Sequence, residues 1–126
     1  MKLQADRIDG LNAIARHGPD GVIVNGVEHR RSVLVPWQGA VTQWPVTSIE
    51  DLTEAHFEAL AAMAPELIVL GSGPRIRFVK PALLRPLMSR RIGIETMDTA
   101  AACRTYNVLL AEGRNVLAAL LFNAAT

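Results

Sequence analysis

Residues 66–73, Glu66-Leu67-Ile68-Val69-Leu70-Gly71-Ser72-Gly73, carry an unbroken aliphatic run that ends in glycines. Four large apolar side chains in succession leave no polar face, so the run reads as a strand covered on both sides. The glycines mark its opening onto a loop. The chain repeats this logic twice downstream. Residues 93–97 run into Asp98-Thr99 and a helix, and residues 114–122 return as another apolar strand. Three such strands should share one sheet, with Gly71-Ser72-Gly73 and Asp98-Thr99 opening at the same edge of it.

The segments between these strands read as helices. Residues 54–64 follow Thr53 as N-cap and stop at Pro65. Their wheel places Ala55, His56, Ala59, Leu60 and Met63 on one arc, with Glu54, Glu58 and Ala61 opposite. His56 on that arc reads as a histidine with one satisfied nitrogen rather than a base, since no partner accompanies it. Residues 76–79 predict a short strand. Residues 81–90 then predict a helix with a Leu83, Leu84, Leu87 and Met88 stripe, kinked or delayed at Pro86, which removes a helical donor. The last helix spans residues 99–112, capped by Asp98 and closed by Gly113, with Thr99, Ala102, Cys103, Tyr106, Leu109 and Leu110 facing the sheet. Cys103 on that face reads as an inert buried thiol.

Residues 11–46 read as β structure. Gly18-Pro19-Asp20-Gly21 is a turn by composition, and Asn25-Gly26 between two apolar runs is the strongest short-range hairpin signal. The returning strand is expected over residues 27–35, stopped by Pro36, with a further extended stretch over residues 37–46. Helix, strand, helix, strand, helix, strand then specifies an α/β layered domain.

Bulk properties narrow the function classes. At 126 residues, 50% hydrophobic and 20% charged, the chain predicts a single domain over residues 1–126 that folds without disulfides or metal. A net charge of +1 supplies no footprint for nucleic acid, and His29-Arg30-Arg31 and Arg90-Arg91 read as solvated faces. One cysteine rules out an internal disulfide and points to a reducing compartment. The N-terminal residues lack a signal-peptide core and no window approaches a transmembrane span, so a cytoplasmic location is expected. No residue set calls for a cofactor or a metal.

Several motifs in order carry a resemblance: Leu70-Gly71-Ser72-Gly73; Gly93-Ile94-Glu95-Thr96-Met97-Asp98-Thr99 with Ala102; Thr105-Tyr106-Asn107-Val108-Leu109; and Glu112-Gly113-Arg114-Asn115-Val116 with Ala118-Ala119-Leu120. The chain resembles a family of small uncharacterised bacterial and archaeal proteins. Its mitochondrial members include an assembly factor of respiratory complex I, and a related vertebrate branch is linked to adipogenesis. The resemblance implies a three-layer α/β fold around a mixed sheet, with an N-terminal β excursion of hammerhead type. It implies a protein partner, and no chemistry.

Two functional readings follow. The first is a non-catalytic binding or assembly module with an unidentified protein partner, because no nucleophile, base and orienting residue stand at recognisable spacing. Trp37, Trp44 and Phe57 are then candidate contact residues, against ordinary core packing. The alternative is a small-molecule site or enzyme, with an anion as one possible ligand, in the crevice formed by Gly71, Ser72, Gly73, Arg75, Asp98 and Thr99. Glycine there lets backbone approach closely, Ser72 offers a hydroxyl and Arg75 a charge, whereas Asp98 opposes an anion. Gly-Ser-Gly is neither a P-loop nor a dinucleotide fingerprint.

Overall fold

The computed structural model describes residues 10–122. The N-terminal part is an antiparallel meander of β1 (Ile14–Gly18), β2 (Gly21–Val24) and β3 (Val27–His29). Asn25 at φ 50° and Gly26 at φ 83° form the turn that pairs Val24 with Val27. Both residues are left-handed, the requirement of a two-residue hairpin, which explains why Asn-Gly stands there.

The strand expected over residues 27–35 is two strands. β3 stays in the meander, while β4 (Val33–Pro36) joins the main sheet with Pro36 as its last residue. Ser32 makes the separation. Its buried hydroxyl donates to Phe122 O at 3.2 Å and accepts from Phe122 N at 2.9 Å, which commits the chain after Arg31 to a new neighbour. Of the extended stretch over residues 37–46, only β5 (Thr42–Gln43) pairs with a strand.

The main sheet has the order β5-β4-β8-β6-β7, with β6 (Leu67–Gly71), β7 (Gly93–Met97) and β8 (Val116–Leu120). β6 runs parallel to both of its neighbours, and β4 runs antiparallel to β8, so the sheet is mixed. The three apolar segments share one sheet as their composition requires. Alternation along the last of them divides the interior: Val116, Ala118, Leu120 and Phe122 enter one core, and Leu117, Ala119 and Leu121 the other. Helices α1 (Glu54–Ala62) and α2 (Arg85–Ser89) cover the second face. α3 (Thr99–Ala111) covers the first, where it also meets Ile14, Val22 and Val24 of the meander. The result is a three-layer α/β arrangement.

Three local expectations change. On α1 the inward residues are Phe57, Leu60 and Ala61, not the arc through Ala55 and Met63. Phe57 carries the most apolar area and takes the inward direction, which turns His56 toward Thr53, where its Nδ1 accepts the Thr53 N–H at 2.9 Å. Residues 76–79 form no strand; only Val79 of that stretch is buried, too little to hold a ladder. The helix expected over residues 81–90 divides into a 3₁₀ turn, Pro81–Leu84, and the five-residue α2, with Pro86 in its first turn. This is the delay that Pro86 demands, since a first-turn position needs no intrahelical donor. Met88 of the expected stripe points to solvent at 69% exposure.

α3 agrees with its reading. Asp98 Oδ1 accepts from Ala101 N at 2.8 Å, and Thr99, Ala102, Cys103, Tyr106 and Leu110 are buried. Trp44 and Phe57 also lie in the core, so they are packing residues rather than contact residues, and Trp37 packs partly buried beside the first-face core. Among the described residues, no helix is long and apolar enough to cross a membrane.

Candidate functional site

β6 ends at Gly71, and the first turn of α3 lies directly against it. Ser72 N donates to Met97 O at 2.8 Å, Gly73 N to Thr99 Oγ1 at 2.8 Å, and Thr99 N returns to Gly73 O at 2.9 Å. The Thr99 hydroxyl donates onward to Leu121 O at 3.0 Å, and Leu121 N donates to Gly71 O at 3.0 Å. Gly71, Ser72, Gly73, Asp98 and Thr99 therefore meet at one edge although 27 positions part Gly71 from Asp98 in sequence (98 − 71). Arg75 joins them through its backbone, its carbonyl accepting from the Ser72 hydroxyl at 2.8 Å, while the residue is exposed to solvent.

The edge is sealed. Ser72, 5% exposed, donates its hydroxyl to Arg75 O at 2.8 Å, lies 3.1 Å from Met97 O, and accepts from Arg77 N at 3.0 Å. Both hydroxyls are thus consumed by backbone. Two N–H groups of the helix start are consumed as well, Thr99 N by Gly73 O and Ala101 N by the Asp98 carboxylate. A helix N-terminus attracts an anion through free N–H groups, and here a carbonyl and a resident carboxylate already occupy two of them. Such an arrangement ties three strand ends to a helix.

Nor do the reactive side chains assemble elsewhere. Burial pushes the Cys103 thiol up to about 12, with Arg104 opposing only in part, so the thiolate is scarce at neutral pH. Alkylation by iodoacetamide at pH 8 is accordingly expected to be slower by at least about 100-fold in native protein than in urea. Equal rates would place Cys103 at an accessible surface. Among the described residues, no three His, Cys, Asp or Glu gather closely enough to hold a metal.

A family described as "Protein of unknown function (DUF498/DUF598)" matches residues 14–121. The chain belongs to this family. A Bos taurus relative named NADH dehydrogenase (ubiquinone) 1 alpha subcomplex assembly factor 3 is 40% identical over 84 residues, which is 65% of this chain and 46% of that one. The chain thus spans about half the length of that relative, at 46%. An uncharacterised protein of Rhodobacter capsulatus is 38% identical over 112 residues, 89% of this chain and 86% of its own. A crystal structure of a Bordetella parapertussis protein superposes with a TM-score of 0.86 at 37% identity, covering 93% of this chain and 100% of that one.

In this member of the family, α3 also holds a polar latch that the sequence reading missed. The Tyr106 hydroxyl donates to Asn12 O at 2.7 Å, with Pro36 O at 3.1 Å. Asn107 brackets one residue of β1, its Nδ2 donating to Ile14 O at 2.7 Å and its Oδ1 accepting from Ile14 N at 3.0 Å. Asn12, buried at 6%, donates to Pro36 O and Gly39 O, each at 2.8 Å, and accepts from Asn25 Nδ2 at 2.8 Å. The only sequence signal for this latch is the adjacency of Tyr106 and Asn107 at the inner border of an otherwise apolar helix face. Asn12 has none, because its side-chain partners are two backbone carbonyls and the Asn25 amide, 24, 27 and 13 positions away.

Proposed function

We propose that this chain is a non-catalytic assembly module that acts by holding a protein partner. The observation that carries the reading is the name of the bovine relative, an assembly factor, over the 65% of this chain that it matches. The sealed edge supports it, since Ser72 and Thr99 spend their hydroxyls on backbone and leave none for a substrate. In this reading Gly71, Ser72, Gly73, Asp98 and Thr99 form a rigid buttress, and Arg75 is the charged residue that the buttress presents to solvent.

Affinity purification of the tagged chain from its native host, with identification of bound proteins and small molecules together, tests the proposal. One protein recovered in near-equal amount, surviving a salt wash, is the expected result. A small molecule recovered in near-equal amount with no protein would reverse it and return attention to the edge.

A further inference from the structure

We propose that the segment over residues 74–80 seats this protein on an anionic membrane surface. The segment leaves the sealed edge and reaches the 3₁₀ turn at Pro81 without strand or helix pairing. Both sides of its base are pinned. Ser72 holds Arg75 O and Arg77 N, the Arg77 guanidinium pairs with Glu50, and Val79 is buried at 8%. Between these anchors, Phe78 is 72% exposed and Ile76 49% exposed. The conformation that presents them is therefore set by the fold, and no core shelters them.

Charge identifies what they meet. From Leu67 to Ile94 the chain has Arg75, Arg77, Lys80, Arg85, Arg90 and Arg91 and not one acidic residue, although the whole chain is nearly balanced at 13 basic to 12 acidic. Arg77 is neutralised by Glu50; Arg75 and Lys80 make no ion pair among the described residues. In sequence, the two exposed apolar residues thus lie between two cations that make no ion pair among the described residues. A side chain exposed to 72% lies in no groove, so the complementary surface must itself provide an apolar layer for Phe78 to enter, with negative charge lying above that layer. A bilayer interface has this layering, anionic headgroups outside and hydrocarbon a few ångströms below. The long stems of Arg75 and Lys80 let their charges stay at headgroup level while Ile76 and Phe78 go deeper.

Co-sedimentation of the full chain with vesicles tests this. Phosphatidylcholine vesicles containing phosphatidylglycerol should bind it, phosphatidylcholine alone should bind it weakly, and added salt should release it. At about 1 kcal/mol per basic residue near such a surface, Arg75→Gln with Lys80→Gln should lower partitioning about 25-fold. Phe78→Ser should lower it about tenfold through lost apolar insertion. Neither change touches the core, so circular dichroism and thermal midpoint should match wild type. Equal binding to neutral vesicles, no binding to either, or binding that both variants retain would overturn the proposal. So would loss, in Phe78→Ser, of a protein partner that wild type holds in detergent while no vesicle binds, because the segment would then be a protein interface.

Discussion

Tyr106→Ala should lower the free energy of unfolding by about 3–5 kcal/mol, the range for emptying a fully buried aromatic site. Tyr106 is 0% exposed and is the largest fully buried side chain. It shares its core with Val69 and Ala118 of the sheet and Ile14 and Val22 of the meander, so its removal opens a cavity where α3, the sheet and the meander meet. Its hydroxyl also satisfies Asn12 O, a buried carbonyl that truncation would leave without that donor. Tyr106→Phe separates the two effects: it keeps the ring and should cost only about 1–2 kcal/mol. Titration adds a signature. Burial raises the Tyr106 pKa above its ordinary value, so the folded state keeps its proton where the unfolded chain releases it. The contribution is complete below about pH 10 and declines as pH rises beyond it. Wild type should therefore lose stability above that pH more steeply than Tyr106→Phe. A urea midpoint for Tyr106→Ala equal to that of wild type would show that the aromatic plug is not what joins the layers.

Gly71→Val should cost about 3 kcal/mol or prevent folding, the upper end of what overpacking does. A β-carbon at Gly71 would stand 2.9 Å from Thr99 Cα, 2.9 Å from Thr99 Oγ1 and 3.2 Å from Ala102 Cβ. One of these is a backbone atom at the first turn of α3, which cannot swing aside as a side-chain end does. Relief requires lifting the helix start, and that breaks the reciprocal bonds between Gly73 and Thr99. The same crowding means that Ser72, buried beside it, has no room for a large residue, so the edge is a poor place to probe binding by bulk. Equilibrium unfolding of Gly71→Val is the measurement, and a curve superimposable on wild type would mean that α3 does not press on β6.

Much of this architecture is legible in local chemistry. Leu67–Leu70 and residues 116–122 are apolar on both faces, so they can be stable only inside a covered sheet. Asn25-Gly26, Asp98 and Pro86 each act within a few residues of themselves, as a turn, a cap and a break, and local action is what a pattern reading captures. The adjacency of Gly71 and Thr99 follows from parallel strands whose ends align, so it too is contained in the order of the elements. What the sequence alone determined was thus the three apolar strands, the helices before the first and the last of them, their layering and the meeting of two loops, but not the strand expected over residues 76–79, which is absent. Tertiary structure alone decided that this meeting is closed, because whether Ser72 and Thr99 hydroxyls face solvent or Arg75 O and Leu121 O depends on distances of a few ångströms between distant segments. It likewise decided that residues 27–35 divide at Ser32, that Asn12 is buried under Tyr106, and that Ile76 and Phe78 stand out in solvent, since a side chain's surroundings are set by which distant layer arrives beside it and not by its neighbours in the chain.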